Sequence, residues 1–98
     1  MTHARLPLPN EQVLFTEIGD GSAVLLHLDT KFYYTLNPTG VVVWKSIVEG
    51  KLPTVAAIGA RLVAEFRVEA EAAERDVAKI VGELVADGLV LPRPLEGA

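Results

Sequence analysis

Apolar and polar positions change rhythm once along this chain, close to residue 37. Before that point the apolar residues come in short runs rich in β-branched and aromatic side chains, the composition of a pleated, half-buried surface. Val13-Leu14-Phe15-Thr16-Glu17-Ile18 is the first run and stops at Gly19-Asp20-Gly21, so a strand and a tight turn are predicted. Ala23-Val24-Leu25-Leu26-His27-Leu28 predicts a second strand, and Asp29-Thr30-Lys31 separates it from a third, Phe32-Tyr33-Tyr34-Thr35-Leu36. Three short strands at hairpin spacing form an antiparallel meander.

After residue 37 the period becomes helical. Proline disfavours the α region for the residue before it yet suits the first position of a helix, so Asn37 is the expected N-cap and Pro38 the first helical residue. Val41, Val42, Trp44, Ile47 and Val48 mark one apolar face, and Gly50 supplies the left-handed stop, giving a first helix from Pro38 to Glu49. Thr54 caps a second helix whose apolar residues Val55, Ile58, Leu62, Val63 and Phe66 recur at helical spacing. Gly59 inside it costs about 1 kcal/mol relative to alanine, which points to another backbone passing close by. A third helix, Ala70 to Asp87, carries the stripe Ala73, Val77, Ile80, Val81, Leu84 and Val85 and ends at Gly88. Leu89-Val90-Leu91 adds a brief strand or caps the core. The expected organisation is a flexible segment over 1–12, one domain over 13–91 and a flexible tail over 92–98.

Composition narrows the class. A chain of 98 residues, half of them apolar, holds one core and no second domain. With no cysteine, neither disulfides nor thiolate metal sites are available. The N-terminal residues lack a continuous apolar stretch, and nothing approaches the roughly 18 apolar residues of a membrane span, so a cytoplasmic protein is expected. Nine basic against thirteen acidic side chains give a net charge of −4, which repels nucleic acid at long range.

Candidate chemistry is sparse. His3 lies in the N-terminal segment and His27 in a predicted strand, with no nucleophile arranged beside either. Glu69, Glu71, Glu74 and Asp76 gather at the start of the third helix, where the macrodipole favours negative charge, and read as a solvated helix end in preference to a metal site. Gly19-Asp20-Gly21 joins two strands and opens no helix, so it is a turn and no phosphate loop. Neither a catalytic centre nor a cofactor is expected. Three helices with a small sheet also suit a winged-helix DNA-binding regulator, but the third helix holds five acidic residues (Glu71, Glu74, Asp76, Glu83, Asp87) against two basic ones (Arg75, Lys79), a poor balance for meeting phosphates.

Tyr33-Tyr34-Thr35-Leu36-Asn37-Pro38-Thr39-Gly40, followed by apolar residues ending in Trp44, resembles the PqqD-like family: an aromatic strand, Leu-Asn-x-Thr-Gly, then a tryptophan. Thr54 opening a helix, Ala73-Glu74-Arg75-Asp76-Val77, and Leu84-Val85-Ala86-Asp87-Gly88-Leu89-Val90 extend the likeness in order and spacing over about Val13 to Val90. Val68-Glu69-Ala70 departs from it, where relatives often carry Asp-Pro, so a less sharply capped third helix is expected. The resemblance implies an α+β, winged helix-turn-helix-like fold, a three-stranded antiparallel sheet followed by three α-helices. It also implies a leader-recognition element for ribosomally synthesised, modified peptides. The precursor leader would add as a strand to the third strand, with Lys31, Phe32, Tyr33, Tyr34, Thr35 and Leu36 at the docking edge. The flank of the third helix, Asp76, Lys79, Ile80 and Glu83, would line the groove, and Arg75 would pair with leader acids.

On a period of two, Phe32, Tyr34 and Leu36 share the face expected to turn inward, at least at Leu36, leaving Tyr33 and Thr35 nearer the partner. Trp44 is expected in the core. The implied role is a peptide-binding adaptor that serves a separate leader peptidase or modifying enzyme, as in lasso-peptide pathways. The alternative within the family is a peptide chaperone for a radical maturase in quinone-cofactor synthesis.

Overall fold

The computed structural model describes residues 6–50 and 54–91. A short strand β1 (Leu8–Pro9) precedes β2 (Val13–Glu17), β3 (Ala23–His27) and β4 (Tyr33–Leu36); helices α1 (Pro38–Glu49), α2 (Val55–Phe66) and α3 (Ala70–Ala86) follow, and β5 (Val90–Leu91) closes the chain. β2, β3 and β4 form the antiparallel meander, with Phe15 opposite Leu25 and Leu25 opposite Tyr34. The fold is the expected α+β, winged-helix-like arrangement.

Alternation along β3 decides which face of the sheet meets the helices. Ala23, Leu25 and His27 are buried while Val24 and Leu26 are only half-buried, so the odd-numbered row turns toward α1 to α3. There Leu25 joins Val43, Trp44, Ile47, Ile58, Leu62, Val77 and Leu84 in one core. Phe15 extends this core from the neighbouring strand, its ring stacked on Trp44 with centroids 6.4 Å apart.

The helix boundaries follow from their capping chemistry. Asn37 Oδ1 accepts a 2.8 Å hydrogen bond from the Gly40 amide, Pro38 occupies the first helical position, and Gly50 closes α1 in the left-handed region. Thr54 Oγ1 accepts from the Ala57 amide at 3.1 Å to start α2. Glu69 makes no side-chain cap at the start of α3, in keeping with the missing Asp-Pro. Gly59 shows why a helix tolerates glycine here: a Cβ at this position would stand 2.9 Å from Glu74 Cγ and 3.4 Å from the Glu74 backbone nitrogen. The two helices therefore meet backbone to backbone.

One element was not anticipated. β1 pairs antiparallel with β5, Leu8 opposite Leu91 and Pro9 opposite Val90. The Asn10 amide donates to the Leu89 carbonyl at 3.2 Å, and Asn10 Nδ2 to the Gly88 carbonyl at 2.8 Å. Leu6, just before β1, is buried in the core. The packed unit thus starts before Val13, and of the segment expected to be flexible, 1–12, the described part from Leu6 onward lies against the domain. The remainder of that segment and the expected tail, 92–98, lie outside the described residues.

Gly59→Leu is expected to force α2 and α3 apart and lower the unfolding free energy by about 1–3 kcal/mol, read from the midpoint of urea denaturation at unchanged slope.

Candidate functional site

β3 is the middle strand of its sheet, so β4 has one neighbour and one open edge among the described residues. Which main-chain groups reach that edge follows from the hairpin that joins the two strands. Lys31 N–H donates to the His27 carbonyl at 2.7 Å and His27 N–H to the Phe32 carbonyl at 3.0 Å, two residues of one strand bonded to one residue of the other. Lys31 has φ 66°, the left-handed position that opens a bulge of this kind. His27 Nδ1 accepts from the amides of Asp29 and Thr30 at 3.2 and 3.4 Å, holding the turn and leaving this buried histidine a structural task.

Antiparallel pairs alternate between bonded and non-bonded. Counting from His27, Leu25–Tyr34 and Ala23–Leu36 are the bonded pairs, while Leu26–Tyr33 and Val24–Thr35 are not. The N–H and C=O groups of Tyr33 and Thr35 therefore face the open edge, and those of Tyr34 and Leu36 are committed to β3. Of the run Lys31 to Leu36 expected as a docking edge, two residues within β4, Tyr33 and Thr35, have outward-facing backbone.

Side chains along the same run divide in nearly the expected way. Leu36 is 8% exposed, Tyr34 is half-buried, Thr35 is exposed and Tyr33 is 70% exposed. Phe32 differs: it was grouped with the inward row yet is 64% exposed. It belongs to the bulge and precedes β4, so the alternation that turns Tyr34 and Leu36 inward does not extend to it.

α3 runs beside this edge, and between them lies a groove of about 380 Å³ floored by Leu36, Leu84 and Leu89. Tyr34 and Thr35 form its strand side, and Ile80, Glu83 and Asp87 its helix side. A second depression of about 280 Å³ adjoins it beyond the end of β4, bounded by Thr39, Asp76 and Lys79 and sharing Asn37, Ile80 and Glu83. Asp76, Lys79, Ile80 and Glu83 are thus brought together beside β4. Arg75 is exposed and lines neither depression, and Lys31 and Phe32 stand at the hairpin, away from both. Leu89 and Asp87 were not singled out as groove residues. The signal available was the terminal Gly88-Leu89, which reverses the chain at the end of α3 and lays Leu89 under the groove. Trp44 is buried as expected and belongs to the core.

A cavity of about 570 Å³ at the other edge of the sheet, between β2 and α1, is lined by Val13, Phe15, Trp44 and Val48. It is larger and more apolar than the groove at β4. Among the described residues, no cluster of three histidine, aspartate or glutamate side chains forms a metal-binding group.

The model for coenzyme PQQ synthesis protein D (PqqD) matches residues 22–90. The chain belongs to the PqqD family. Two solved structures resemble this PqqD-family chain over most of their length. TbiB1 in complex with the TbiA(beta) leader peptide is 30% identical, with a TM-score of 0.74 over 93% of this chain and 96% of that one. A lasso peptide synthetase B1 complexed with the leader peptide is 28% identical, with a TM-score of 0.75 over 86% and 95%. No protein of curated function matches by sequence.

The alternation of bonded pairs predicts a contrast between two proline variants. Thr35→Pro removes an edge-facing donor and should leave the thermal unfolding midpoint within a few degrees of the parent. Tyr34→Pro breaks the pair with Leu25 and should lower stability by more than the roughly 1 kcal/mol of one hydrogen bond. Equal losses in the two variants would contradict the register.

Proposed function

We propose that this chain is a peptide-binding adaptor without chemistry of its own. It captures the leader of a ribosomally synthesised precursor by adding it as a strand to β4, and presents the precursor to a separate leader peptidase or modifying enzyme of lasso-peptide biosynthesis. The observation that carries this reading is the open β4 edge beside a groove with an apolar floor, in a chain that resembles two leader-peptide complexes along most of its length. Strand addition satisfies the outward N–H and C=O groups of Tyr33 and Thr35, which supplies affinity independent of sequence. The groove between Leu36, Leu84 and Leu89 accepts an apolar side chain of the leader, which supplies selectivity.

An adaptor of this kind acts by raising the effective concentration of the precursor at an enzyme, so the reacting bond need not touch it. Its place is the cytoplasm, where a precursor is made; among the described residues no helix is long and apolar enough to cross a membrane. A PqqD-type chaperone for a radical maturase uses the same edge and differs in the enzyme served. The extent of the likeness to lasso peptide synthetase B1 favours the lasso pathway. DNA binding is disfavoured by the acidic α3 and the net charge of −4.

Titration with synthetic lasso-precursor leaders, the TbiA(beta) leader among them, should give saturable binding with amide shifts concentrated at Tyr33 and Thr35. Thr35→Pro should weaken that binding by about tenfold, the equivalent of roughly one hydrogen bond. Tight binding that leaves these amides unmoved would sink strand addition at β4.

A further inference from the structure

The groove beside β4 has an electrostatic character that apolar docking does not use. Glu83 and Asp87 stand on its helix side, and Asp76 joins them in the adjoining depression, where Lys79 is the one cation. The ion pairs formed among the described residues, Lys45 with Glu17 and Arg61 with Glu49 and Glu65, engage none of these four groups. Three carboxylates against one ammonium leave this wall net negative.

Position along the helix sharpens the point. Glu83 lies in the last turn of α3 and Asp87 is its C-cap, and that last turn holds no basic residue. The C-terminal end of a helix already carries partial negative charge from its unpaired carbonyls and favours cations. Stability alone argues for lysine or arginine at these two places. The acids are set against the dipole at the point where the helix borders the groove.

We propose that the leader recognised here carries a lysine or arginine next to its apolar anchor, seated against Glu83 and Asp87. This rests on the leader-binding reading above and adds a charge requirement to it. Glu83 is the carboxylate shared by both depressions, so a basic side chain reaches it whether it precedes or follows the anchor in the groove. The cation relieves the repulsion between two carboxylates one helical turn apart and meets the negative end of α3. An acidic leader meets a repulsive wall and is rejected, which is how like charges set specificity.

The test is a displayed library of random twelve-residue peptides panned against the full-length protein and, in parallel, against the double variant Glu83→Lys/Asp87→Lys. Both positions are exposed, and the variant complements the helix dipole, so unchanged helical circular dichroism is the entry condition; Glu83→Gln/Asp87→Asn, which removes charge without reversing it, replaces the variant if that fails. Parent-selected peptides should pair an apolar residue with lysine or arginine within about two positions, and should bind the reversed variant about tenfold more weakly, as expected for reversing two partly exposed charges. Peptides selected on the reversed variant should keep the apolar residue and exchange the basic one for aspartate or glutamate.

Selected peptides that shift the Tyr33 and Thr35 amides yet show no basic preference, or the same preference on both proteins, overturn the charge requirement and leave strand addition standing. Peptides that bind without moving those amides, or a library that enriches nothing, overturn both.

Discussion

A strand in the middle of a sheet has its main-chain donors and acceptors taken on both sides, and in a three-stranded meander only one strand can be in that position. β3 holds it here. Ala23, Leu25 and His27 turn their backbone toward β4, while the intervening residues turn theirs toward β2. Everything outward on β4 is then fixed by the bulge at Lys31 and Phe32, which sets the phase of the alternation. A shift of one residue would commit Tyr33 and Thr35 to β3 and present Tyr34 and Leu36 to the edge, while turning Leu36 out of the core. Burial of Leu36 and availability of the Tyr33 and Thr35 main chain are therefore one constraint seen from two sides.

The helices were readable because their signals are local. Asn37-Pro38, Gly50 and Thr54 act within a few residues of themselves, and each cap stands where its chemistry places it. Gly59 was readable in a different way. Its cost in an isolated helix implied a close neighbour, and Glu74 of α3 is that neighbour. What could not be read locally was long-range or depended on backbone sign. The β1–β5 pairing joins two-residue strands from opposite ends of the chain, too short for periodicity to register. Phe32 was assigned by alternation to the inward row, but alternation holds only inside a pleated strand, and nothing in the residue type of Lys31 announces a left-handed φ.

For the groove, the sequence supplied the elements and left their faces open. Ile80 and Glu83 were expected on the groove side from the family resemblance together with the helical stripe of α3, and both line the groove beside β4. Arg75 belongs to the same helix but lines neither depression, because it is turned by about 100° around the helix axis from Asp76, which does line one. Charge was read as a total, enough to set DNA aside. The placement of Glu83 and Asp87 against the helix dipole became informative only once the groove was seen to run beside that end of α3.

The clasp between β1 and β5 has a topological consequence. Because Leu8 pairs with Leu91, the strand that enters this domain and the strand that leaves it run side by side, and the fold is closed like a loop with its two ends drawn together. A domain closed in this way is portable: it can be tethered through either end, or spliced into a longer polypeptide, without its sheet or helices being pulled apart. On the proposed function, such a domain serves equally as a free adaptor or as a module joined to the enzyme it supplies, with the length of the connection, not the fold, deciding how far a captured peptide travels.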